Sequence, residues 1–180
     1  SKLSNVEPGS SDSVTLTVEN RGNGLDTFSL TTIDLPEGWQ ISFSQSSVTV
    51  NSRHDSNNKA SLTATINVPA DALAGDNTIE FGVTVSGSTT ILASKVLTVS
   101  VAARHDLTAE ILSTQQTGRS GQVVQFPIDI TNTGNIRDTF KLQVCDPSDQ
   151  TGCNPPMWAA SYSDTNGNSI SQVILDPSES

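Results

Sequence analysis

Asn20-Arg21-Gly22-Asn23-Gly24-Leu25-Asp26-Thr27-Phe28-Ser29-Leu30 is written twice in this chain. It returns 112 residues on, from 20 to 132, as Asn132-Thr133-Gly134-Asn135-Ile136-Arg137-Asp138-Thr139-Phe140-Lys141-Leu142. A period of that length is a whole domain, too long for a solenoid unit or a propeller blade. The chain reads as part of a tandem array of one β-rich module. Residues 1–103 are expected to form the first module and residues 104–180 the second, with a linker near Ala102–Arg104.

The segments around the block carry strand periodicity. Val14, Leu16 and Val18 alternate with polar residues, and Phe126, Ile128 and Ile130 are their partners in the second copy. The inward face is kept while the outward face changes, as in a half-buried strand. Pro127 has no N–H to give, which places its strand at an edge. Asn20, Gly22 and Asn23, with Asn132, Gly134 and Asn135, read as a tight hairpin turn at positive φ. Asp26 and Asp138 are expected to bond back to turn amides. Phe28 and Leu30, with Phe140 and Leu142, point inward from the next strand. Further alternation runs through Ala60–Val68, Ile79–Val85, Val96–Val101 and Leu107–Leu112. The expected core of the first module is Val14, Leu16, Val18, Phe28, Leu30, Trp39, Ile41, Leu62, Ile66, Phe81, Val83 and Val99.

The copies differ by insertions. The second gains about seven residues within Cys145–Cys153 and about six within Asp164–Ser169. Cys145 and Cys153 read as a local disulfide that clips the first insertion, and so as a sign of an oxidising compartment. Two free thiols are the alternative. The second insertion reads as a hairpin tip. Asp164, Asn166 and Asn168 place oxygen ligands at alternate positions, as at the start of a calcium loop. Leu175 stands where such a loop needs an acidic twelfth residue, so an ordinary turn is the other reading. No other cofactor is implied. The Asn/Asp cluster of the repeated block has the same two readings, a metal site or side chains closing their own turns.

The first module has no counterpart of Leu107–Leu112, and the second has none of the first's closing strands. The expectation is a window cut from a longer repetitive chain, or a chain completed by another copy of itself. The formal charge is −10, and it is shared evenly: five basic and ten acidic residues up to position 102, four and nine beyond. That field repels nucleic acid and anionic membrane surfaces. No stretch approaches the roughly 20 apolar residues of a membrane span. No Asn-x-Ser/Thr sequon is present.

Pro8-Gly9, an alternating strand, Asn20-x-Gly22-Asn23-x-x-Asp26-x-Phe28 and Leu35-Pro36-x-Gly38-Trp39 together make a pattern. It resembles the Ig-like domains found beside alpha-galactosidases, relatives of the bacterial cell-adhesion-related repeats of archaeal and bacterial surface proteins. The resemblance covers most of residues 1–103 and about half of a second module. The second copy departs from it, with Ser120 in place of Pro8 and Pro155-Pro156-Met157-Trp158 in place of Pro36-Glu37-Gly38-Trp39. The resemblance implies tandem all-β, antiparallel immunoglobulin-like sandwiches, the second incomplete, in which these residues form turns and core. It carries over no catalytic residue.

Three functions follow as expectations. The first is a non-catalytic extracellular or cell-surface spacer, stalk or adhesion module, with protein or surface contacts that include other copies of itself. The second is a filament subunit completed by strand exchange. The third is a carbohydrate-binding accessory domain of a secreted glycoside-processing enzyme, which needs exposed aromatic platforms. An enzyme is disfavoured. His54 and His105 each lie in Arg-His-Asp, but an Asp adjacent in a strand points to the opposite face and cannot orient its neighbour.

Overall fold

The structure, a computed structural model, describes residues 2–145 and 159–180. It divides into two compact units, residues 1–103 and 104–180. The first has eight strands: β1 (Lys2–Val6), β2 (Ser11–Glu19), β3 (Asp26–Asp34), β4 (Gln40–Phe43), β5 (Ser47–Val50), β6 (Lys59–Asn67), β7 (Gly75–Val85) and β8 (Ala93–Val101). They form two sheets, ordered β1-β8-β7-β3-β5 and β2-β6-β4. This is a sandwich with its core between the two inner faces.

Period-two alternation decides which residues fill that core. On β6, Leu62, Ala64 and Ile66 point in and are at most 4% exposed. The intervening Thr63 and Thr65 belong to the solvent face. Ile66, Ile79 and Val99 are fully enclosed, each worth about 1.5–3 kcal/mol over leaving the side chain in water. All twelve expected core residues lie in, or packed against, two clusters. Trp39 is 7% exposed and seals one end. It enters through a Pro36–Trp39 turn with Gly38 at φ +78°. The outward faces are laced by hydroxyls, as in Thr17 with Ser61 at 3.0 Å and Thr27 with Thr49 at 2.9 Å.

Two features depart from the sequence reading. The pairing is not wholly antiparallel, because β1 runs parallel to β8 at the sheet edge. Lys2–Val6 carries too short an alternation to announce itself as a strand. The repeated turn is also not a hairpin. β2 and β3 belong to different sheets, so Asn20–Leu25 arches from one sheet to the other.

The second unit contains β9 (Leu107–Ile111), β10 (Ile128–Asn132), β11 (Asp138–Lys141), β12 (Tyr162–Ser163), β13 (Ser169–Ile170) and β14 (Gln172–Leu175). They pair antiparallel as β9 with β10, β11 with β14 and β12 with β13. Pairing of Asp138 with Leu175 repeats that of Asp26 with Val50. Phe126 and Ile128, expected inward, are 47% and 40% exposed. In the first unit β6 runs along the whole of β2. No described strand does this for β10, so it is shorter and its apolar face is open.

Candidate functional site

The repeated block builds one constellation twice, around a buried asparagine. Asn20 is 2% exposed and Asn132 fully buried. The Asn20 side-chain amide donates to Gly24 O at 2.8 Å and Val50 O at 3.0 Å, and its Oδ1 accepts from Gly22 N at 2.8 Å. Asn132 repeats this, with donation to Ile136 O at 2.9 Å and Leu175 O at 3.0 Å, and acceptance from Gly134 N at 2.9 Å. An Asn is needed because the site demands two donors and an acceptor from one short side chain. It ties the end of one sheet to a strand of the other.

The turn residues do different work from that expected. None of Gly22, Asn23, Gly134 or Asn135 has positive φ. At Gly134 the reason for glycine is space. A Cβ there would collide with Arg104 O and stand 3.1 Å from Asp106 N. The backbone of Arg104–Asp106 crosses directly over this residue. Thr133 N and Gly134 N both donate to Asp106 O at 3.1 Å, and Asn135 N donates to Arg104 O at 3.0 Å. Asn135 Oδ1 accepts from Arg104 N at 2.7 Å, and Arg104 Nη2 donates to Thr133 O at 2.9 Å.

The aspartates do not bond back to the turn amides as expected. Asp138 Oδ2 lies 2.6 Å from His105 Nδ1, and its Oδ1 accepts from Thr139 N at 3.3 Å. Asp26 has no side-chain partner among the described residues. The Arg-His-Asp triplets are thus unlike. In the second, His105 meets an aspartate distant in sequence. In the first, the nearest partner of His54 is Arg53, at 3.3 Å. Sequence reasoning missed Arg104–Asp106 as part of the constellation, although it saw both triplets. Only the fold brings residues 104–106 onto residue 134.

The other candidates resolve separately. Asp164–Asn168 closes the turn between β12 and β13. Asp164 Oδ1 accepts from Asn166 N at 2.9 Å and Asn168 N at 2.8 Å, and its Oδ2 accepts from Asn168 Nδ2 at 2.9 Å. These bonds, led by that of the Asn168 side chain, hold the Asp164 carboxyl below its ordinary pKa. Gly167 sits at φ +84°. Both carboxylate oxygens are engaged in closing the turn, and no group of three His, Cys, Asp or Glu lies together among the described residues. Cys153, and with it the Cys145–Cys153 bridge, lies outside the described residues, as does Trp158. Phe28 is buried and Phe140 half-buried. Among the described residues the one exposed aromatic is Phe126.

No curated protein matches the sequence. Among solved structures the chain is similar to WR4, a member of the MSP family from C. elegans, at 9% identity over 56% of this chain and 92% of that one, with a TM-score of 0.34. It is similar to a family 123 glycoside hydrolase from Clostridium perfringens at 12% identity, over 56% of this chain and 22% of the hydrolase, with a TM-score of 0.42. It is similar to PapD-like domain 7 of human CEP192 at 15% identity, over 56% and 80% of the two chains, with a TM-score of 0.38. Residues 6–86 match the family described as the NPCBM-associated, NEW3 domain of alpha-galactosidase. That span runs from the end of β1 through the buried-asparagine arch to the end of β7, and over it the first unit is similar to this alpha-galactosidase-associated Ig-like family.

Proposed function

We propose that the chain is a non-catalytic structural segment of an extracellular or cell-surface protein, a spacer or stalk that holds other parts at a distance and makes protein contacts. One observation carries the reading: the asparagine written twice is spent inside the fold in both units. Asn20 and Asn132 join sheets, Gly134 admits a backbone, and Asp138 holds His105. A repeated catalytic or sugar-binding set would instead converge on a space for a substrate. The match to a glycosidase-associated domain supports an accessory role, and the hydroxyl-laced faces with uniform negative charge suit a soluble stalk. No helix among the described residues is long and apolar enough to cross a membrane.

The carbohydrate-binding reading loses Trp39, which is 7% exposed and packed in the core. The test is direct. The chain is incubated with aryl α-galactosides and titrated with a panel of galactans and cell-wall polysaccharides. The expected result is neither hydrolysis nor a saturable change in amide chemical shifts. Hydrolysis abolished by a single substitution, or saturable binding in the millimolar range or tighter, would overturn the proposal.

A further inference from the structure

In the second unit the chain is fastened before its first strand begins. Residues 104–106 belong to no strand, yet Arg104 is held at three points. Its N–H donates to Asn135 Oδ1 at 2.7 Å, its carbonyl accepts from Asn135 N at 3.0 Å, and its Nη2 donates to Thr133 O at 2.9 Å. Two residues on, Asp106 O accepts from Thr133 N and Gly134 N, both at 3.1 Å. Between them His105 Nδ1 meets Asp138 Oδ2 at 2.6 Å. All these partners fall within residues 133–138, the arch of the repeated block and the first residue of β11.

The strand that follows is fastened in a different way. β9 pairs antiparallel with β10, and Leu107, its first residue, lies opposite Asn132, the last of β10. A pull on bare chain ahead of Leu107 would reach this ladder at its end and open the bonds one after another. The bonds at Arg104 converge on Asn135 and Thr133, so they must break together. The arch that receives them is itself anchored. Asn132 is fully buried, and its amide donates to Leu175 O on β14 at 3.0 Å. Load entering at Arg104 is thereby shared between the β9–β10 and β11–β14 pairs. Gly134 keeps the fit close, because a Cβ there would collide with the Arg104 carbonyl.

We propose that Arg104–Asp106 is a mechanical latch, which takes up tension arriving along the chain ahead of this unit and passes it to the arch at residues 133–138 before it reaches β9. The use of such a latch rests on the stalk reading above; its geometry does not. Forced unfolding is governed by the rate of opening, and interactions broken in the opening step set that rate.

The test holds the full 180-residue chain in an optical trap, with handles attached through unnatural residues at positions 103 and 139. Neither the first unit nor the chain beyond 139 then lies between the handles. At constant force a single discrete opening is expected, ahead of the release of β9. Asn135→Ala should shorten the lifetime of the closed state about fivefold, the factor given by one hydrogen bond of ordinary net strength. Arg104→Ala, an exposed side chain whose loss leaves the fold intact, should do the same by removing the bond to Thr133 O. The two together should shorten it more than tenfold. Ile111→Ala, at the far end of β9, should leave it unchanged. Lifetimes unmoved by both latch substitutions would overturn the proposal. So would gradual peeling with no discrete opening, or an equal effect of Ile111→Ala. Saturable sugar binding or hydrolysis, which would end the stalk reading, has no bearing on these lifetimes, so the two readings fail separately.

Discussion

Replacing Asn20 by Ala removes a side chain that makes three hydrogen bonds from a position 2% exposed. The bonds to Gly24 O, Val50 O and Gly22 N measure 2.8, 3.0 and 2.8 Å. Each net contribution is about 1 kcal/mol. The Val50 carbonyl faces the interior, where losing its partner costs about 1–3 kcal/mol. Water reaches the Gly24 and Gly22 ends more easily and recovers part of the loss. Roughly 3 kcal/mol is expected in all, a large share of the 5–15 kcal/mol that holds a typical domain folded. For a domain of about 100 residues this lowers Tm by roughly 12–24 °C. The assay is urea unfolding followed by Trp39 fluorescence in a Trp158→Phe background, so that the first unit alone reports. Asn20→Asp sharpens the argument. It keeps the acceptor for Gly22 N but loses both donors and turns a carboxylate toward two carbonyl oxygens. It should cost at least as much as Ala at pH 7. A neutral Asn20→Asp, or a loss under about 1 kcal/mol for Ala, would refute the account of the buried asparagine as the tie between sheets.

Three other outcomes are expected. Asn135→Ala should destabilise the second unit by about 1–2 kcal/mol through its bond to Arg104 N, whereas Asn23→Ala, at an exposed position, should change stability by less than about 0.5 kcal/mol; parallel urea titrations check the pair. Ile66→Ala should cost about 2–5 kcal/mol, because the site is fully enclosed between the sheets, with calorimetric Tm as the readout. The carboxyl of Asp164 has its pKa depressed by the bonds from Asn168 and Asn166. Its contribution to the β12–β13 turn is therefore fully present above the ordinary Asp value of about 3.9 and lost as pH falls through the lower folded value. The Asn166 and Asn168 amide resonances should lose their bonded shifts on acidification, and in Asp164→Asn the acid transition should be absent.

Much of the fold was legible because burial follows a period of two. Val14 through Val18, Leu62 through Ile66 and Phe81 through Val83 each alternate, and each delivers its apolar members to the clusters between the sheets. What failed was inference from turn composition. Asn-x-Gly-Asn between two strands is ordinarily the signature of a hairpin, since those residues tolerate positive φ. Here the chain leaves one sheet for the other, the side chain of Asn20 closes the arch, and glycine is kept for clearance. Local propensity contains no information about a backbone arriving from residues 104–106. Phe126 and Ile128 failed for another reason. Periodicity says which face of a strand is apolar, not whether a second layer arrives to cover it.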